Sequence, residues 1–87
     1  MKASIGRIVI VRTPSEFNGS HFHPGIITHA WTDTMVNVKV LPDCGAPYDE
    51  TSIYLHATPE EGAAGPSPTR FAHWPVIQPF SGPGEER

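Results

Sequence analysis

The chain has 87 residues and a formal net charge of -3, with six Lys plus Arg against nine Asp plus Glu, and a single cysteine. That length holds one domain, which buries only about 60% of the surface its unfolded chain exposes, so its stability margin is thin. So few cations argue against a protein that coats a nucleic-acid backbone, where counterion release needs clustered Lys and Arg, and the lone Cys44 excludes an internal disulfide and fits a reducing compartment.

Eight Gly and ten Pro are more than a helical chain absorbs, because each Pro lacks an amide donor and clashes with the preceding turn. The chain therefore reads as strands and turns. Ile5 to Arg12 is a β-branched run ended by Thr13-Pro14-Ser15, and it predicts a first strand. A strand with one buried face alternates, whereas Ile8 to Val11 are all apolar. Both faces are therefore expected to be covered, one by the barrel interior and the other by a loop or partner subunit. Thr13 to Pro24 holds Asn18-Gly19-Ser20, His21 and His23 with little apolar periodicity, and predicts a long surface loop.

Gly25 to Thr32 predicts the second strand and Met35 to Leu41 the third, with Val36, Val38 and Val40 on one face and Asn37 and Lys39 on the other. Asp33 and Thr34 between them predict a tight hairpin. Pro42 to Pro47 is a turn cluster, and Ser52 to Ala57 predicts a fourth strand with Ile53 and Leu55 inward and Tyr54 and His56 outward. Thr58 to Thr69 carries too little apolar surface to offset its ordering entropy and reads as a flexible loop. A last short strand, Arg70 to Trp74, stops at Pro75. Beyond the domain at 1–77, residues 78–87 read as a flexible tail. The expected fold is all-β, a small SH3-like, partly open barrel of about five strands; an OB-like barrel is the alternative, although residues 43–51 leave little room for its helix.

Four segments carry a resemblance: Ile5-Gly6-Arg7-Ile8-Val9; the stretch from His23-Pro24-Gly25 through Ile26-Ile27-Thr28 to Trp31; the stretch from Val36-Asn37-Val38 to Pro42-Asp43; and His73-Trp74-Pro75. In these the chain resembles a group of small phage and prophage proteins, over most of residues 4–75. The resemblance implies a phage gene product acting in the bacterial cytoplasm. By analogy it implies an accessory protein that counters host defences, a class that includes oligomeric sponges trapping nucleotide signals without cleaving them.

The chemistry-bearing residues narrow the function further. His21-Phe22-His23 is a His-x-His pair, but a structural zinc site wants four ligands with cysteine among them, and Cys44 lies in a separate turn; no metal or cofactor is expected. No nucleophile elbow or phosphate loop is present, and Asp49-Glu50 and Glu60-Glu61 fall in predicted loops, so no enzyme is expected. What remains is a mix of cations (Arg7, Arg12, Lys39, Arg70) and aromatics (Trp31, Tyr54, Phe71, Trp74) on or beside strands. Guanidinium forks bind phosphate and aromatic faces stack on bases, so this mix suits a nucleotide pocket. The plainer reading places Trp31 and Trp74 in the core or a subunit interface, and the arginines as solvated edge guards.

The candidate ligand-binding residues are Arg12, Arg70, Arg7, Trp31, His29, Trp74 and Tyr54, with His56 beside them. Residues 1–7 carry cations without an apolar core, and no apolar run approaches the roughly 18 residues of a spanning helix, so neither export nor membrane insertion is expected. The expected protein is a cytoplasmic, non-enzymatic homo-oligomer that sequesters a small anionic ligand, a nucleotide-type immune signal, at a subunit interface, without binding long nucleic acid. The alternative is a protein-interaction module that inhibits a host defence protein.

Overall fold

The computed structural model describes residues 2–76. In chain order it contains β1 (Ile8–Phe17), β2 (Ser20–Thr32), β3 (Met35–Val40), β4 (Tyr48–His56), α1 (Pro59–Ala63) and β5 (Phe71–His73). Strands β1 to β4 pair in sequence, each antiparallel to the next. β5 then lies antiparallel to β1 and parallel to β4, so the ring of strands is closed. The protein is an all-β barrel of SH3-like size. It is closed rather than partly open, because even three residues of β5 present backbone groups to both neighbours.

Side-chain alternation selects the core. Val9 and Val11 of β1, Ile27 of β2, Val36, Val38 and Val40 of β3, Ile53 and Leu55 of β4 and Ala72 of β5 all point inward, none more than 3% exposed. Each buried branched side chain contributes about 1.5–3 kcal/mol before the entropy of ordering is subtracted. The Asp33-Thr34 hairpin stands where expected, between β2 and β3.

The expected loop at Thr13 to Pro24 is instead a hairpin. β1 and β2 run to Phe17 and Ser20, which face each other across a turn with Asn18 at φ 54 and Gly19 at φ 84. Positive φ at both central residues is the hairpin geometry that Asn-Gly favours. The periodicity is masked because polar residues point inward here. Thr13 is fully buried, with its Oγ1 donating to the Ser15 carbonyl at 2.8 Å, and His23 is 2% exposed, packed edge-on against Phe17.

Ile8 to Val11 do not have both faces covered by this chain. Val9 and Val11 are fully buried, Ile10 is half-buried and Ile8 is 59% exposed, so the strand alternates and its outer face meets solvent.

The segment Thr58 to Thr69 is not simply a flexible loop, since it contains α1. Thr58 caps the helix by accepting from the Glu61 amide at 3.1 Å, Pro59 opens it, and Glu60 and Glu61 set negative charge in its first turn. Gly62 of α1 rests on the ring of Phe71, with no room for a Cβ, and the helix thereby covers the outer face of β5. β4 starts at Tyr48, ahead of its expected start at Ser52, with Ser52 at φ 54 inside an irregularity opposite β3. The expected tail at 78–87 lies outside the described residues.

Candidate functional site

The strand-end arginines make contacts within the chain. Arg12 Nη1 donates to the carbonyls of Thr13 at 2.7 Å and Thr69 at 3.1 Å, tying β1 to the segment before β5. Arg70 Nε pairs with Glu50 Oε1 at 2.6 Å and its Nη2 donates to the Thr51 carbonyl at 3.0 Å, pinning the start of β5 to β4. Lys39 pairs with Asp49 at 2.8 Å. The barrel thus brings Arg12 and Arg70 to one end of β5. Arg7 is at the other end, its guanidinium 5.7 Å from the centroid of the Trp74 ring.

The aromatic candidates separate into two places. Trp31 is 57% exposed yet held: its Nε1 donates to Asn37 Oδ1 at 3.0 Å and its ring stands edge-on to His29 at 4.3 Å. A tryptophan presented to solvent in one fixed pose has already lost the rotamer freedom that binding would otherwise remove. Tyr54 faces outward from β4, 6.2 Å from the ring of His56, while Trp74 is half-buried against the core.

Closure of the barrel also makes a cleft of about 340 Å³ between the β2–β3 turn, the end of β4, α1 and the chain leaving β5. Asp33, Thr34, Leu55, His56, Ala57, Glu61 and Trp74 line it. Its walls are fixed by backbone hydrogen bonds, from Leu55 N to the Thr34 carbonyl at 2.9 Å and from Trp74 N to the His56 carbonyl at 3.1 Å. Glu61 Oε1 accepts from Ala57 N at 3.2 Å, which orients that carboxylate. Of the seven expected ligand-binding residues, Trp74 alone lines the cleft. Asp33 and Thr34 read as a hairpin and Glu61 as part of a loop carboxylate pair, and none of them as a cleft residue, because nothing local in a turn or a helix cap fixes which distant indole will share a cleft with it.

Outside the barrel, β1 and β2 carry an apolar surface. Ile8 faces Ile26, Ile10 faces Pro24 and Arg12 faces Phe22 across the two strands. Ile8 is 59%, Phe22 44% and Ile26 36% exposed, and the Phe22 ring packs at its inner edge against the buried Phe71 and His73, at centroid distances of 6.4 and 6.0 Å. Contiguous exposed apolar area of this kind marks a contact surface more often than scattered single residues do.

His21 and His23 do not converge: His21 Nδ1 lies 3.1 Å from the Thr13 carbonyl at the edge, whereas His23 is inside the barrel. Among the described residues, no three or more His, Cys, Asp or Glu side chains stand together as a metal site, and no helix is long and apolar enough to cross a membrane. No protein-family model matches this chain, and neither does any curated protein or solved structure.

Proposed function

We propose that this chain is a non-enzymatic, phage-type accessory protein that acts as a protein-interaction module, inhibiting a host defence protein by occupying its surface. The observation that carries this reading is the outer face of β1 and β2, where Ile8, Ile26 and Phe22 are exposed side by side. The charge pattern agrees with it. Arg12, Arg70 and Lys39 each spend donors on partners within the chain, which leaves each with fewer for a phosphate.

A second reading is sequestration of a small anionic ligand of nucleotide type between copies of the barrel. Trp31 favours it, since an exposed indole fixed by Asn37 and His29 offers a face on which a base can stack.

One experiment separates the two. Phage carrying Ile8→Lys/Ile26→Lys or Trp31→Ala are plated on bacterial hosts with different defence systems, the variants' folding is checked by circular dichroism, and ligand retained on the purified protein is sought by mass spectrometry. Loss of protection with the isoleucine pair, with no retained ligand, supports the interaction module. Loss with Trp31→Ala together with a retained nucleotide supports sequestration and overturns the module.

A further inference from the structure

We propose that the cleft between the β2–β3 turn and α1 is a binding site for an aliphatic cation, the side chain of a lysine or arginine presented by the partner protein. The interaction reading supplies the source of that side chain, and the proposal rests on it to that extent. The preference for a cation stands on the cleft itself.

Its lining supplies two carboxylates, Asp33 and Glu61, and no Lys or Arg. Among the described residues, Asp49 is paired with Lys39 and Glu50 with Arg70, whereas the side chains of Asp33 and of Glu60, which lies outside the cleft, make no hydrogen bond or ion pair. Glu61 uses Oε1 for the Ala57 amide and leaves Oε2 uncommitted. Two carboxylates therefore stand at this cleft, beside the imidazole of His56, without an ion pair among the described residues.

The apolar part of the lining fits the rest of the ligand. Leu55, 3% exposed, and the half-buried Trp74 give a floor for a methylene stem, and a cation above an indole face gains the attraction of the ring quadrupole. The indole of Trp74 already accepts one cation, since the Arg7 guanidinium lies 5.7 Å from its centroid, and Arg7 is not among the residues lining the cleft. A nucleotide is disfavoured in the same place, because its phosphate would face Asp33 and Glu61 in a partly desolvated space.

The test is nuclear magnetic resonance titration of the full chain with Nα-acetyl-lysine amide, with Nα-acetyl-norleucine amide as the uncharged control and adenosine monophosphate as the anion. The Trp74 indole N–H reports on the cleft and that of Trp31 serves as the internal reference. The expected result is a saturable shift at Trp74 alone, with a Kd on the order of millimolar for one exposed cation in an aromatic and acidic setting. Asp33→Asn/Glu61→Gln, in which the new amide oxygen can still accept from Ala57 N, should weaken it roughly fivefold, the worth of two solvent-exposed charge pairs.

Should that variant fail to fold, raising the salt on the native chain from about 0.05 to about 0.5 M should weaken binding severalfold through screening. Norleucine amide binding as well as lysine amide, preferential binding of the nucleotide at Trp74, or salt-independent binding each overturns the proposal. The phage-plating result leaves this titration unchanged, so failure of the interaction reading and failure of the cation site are seen separately.

Discussion

The Oδ1 atom of Asn37 lies 2.7 Å from the backbone nitrogen of Ser52 and accepts its hydrogen bond across β3 and β4. The same oxygen accepts from the indole of Trp31 at 3.0 Å, so one side chain holds both a distorted stretch of β4 and the exposed tryptophan of β2. Asn37→Ala should therefore cost about 1–1.5 kcal/mol, the net worth of such bonds where water can partly replace them. It should also lower the fluorescence anisotropy of Trp31, read in a Trp74→Phe background. Unchanged anisotropy would show that His29 alone holds the ring. Ser52→Gly, by contrast, should be neutral or slightly stabilising, because the φ of 54 there is a conformation that glycine adopts without a Cβ penalty.

Gly62→Ala should destabilise the protein by roughly 1–3 kcal/mol, through overpacking where α1 sits on β5. A methyl group at that position would overlap the ring of Phe71, which is only 1% exposed and has little room to move. The midpoint of urea unfolding measures the effect. A midpoint equal to that of the unmodified chain would mean that α1 lifts from β5 at little cost.

Arg70→Ala should lower stability by about 1–2 kcal/mol, more than an exposed ion pair would, because Glu50 is left with its side chain only 14% exposed and its charge unpaired. Replacing both partners, in Arg70→Met/Glu50→Gln, should recover much of that loss. Thermal unfolding of the two variants side by side is the measurement. Equal stability of both would indicate that the guanidinium contributes packing and not charge.

His23→Leu should be at least as stable as the native chain. The Nε2 of His23 is buried without a hydrogen-bond partner among the described residues, and an unpaired polar atom in such a place costs about 1–3 kcal/mol, while a leucine keeps apolar contact with Phe17. A melting temperature several degrees lower would show that the imidazole has a favourable role at this end of the barrel.

The two hairpins show why one part of the fold was legible and another was not. Val36, Val38 and Val40 alternate cleanly with Asn37 and Lys39, and Ile53 and Leu55 with Tyr54 and His56, so periodicity alone oriented β3 and the end of β4. Around Asn18-Gly19 the turn chemistry was just as clear, but Thr13 and His23 occupy inward positions, and polar residues inside a barrel erase the signal by which a strand is recognised. The helix α1 had its cap, Thr58-Pro59-Glu60-Glu61, in plain view; its short length and the glycines beyond it concealed it.

The sequence by itself determined the all-β class and the inward faces of β3 and the end of β4, because backbone restriction by proline and glycine and the alternation of side chains are local properties. Tertiary structure decided the rest. That Arg70 meets Glu50, that Ile8 lies beside Ile26, and that Asp33, Glu61 and Trp74 share one cleft all depend on strand register and on β5 closing the ring between β4 and β1. Register is set by how the whole apolar set packs inside the barrel, so no short stretch of chain contains it.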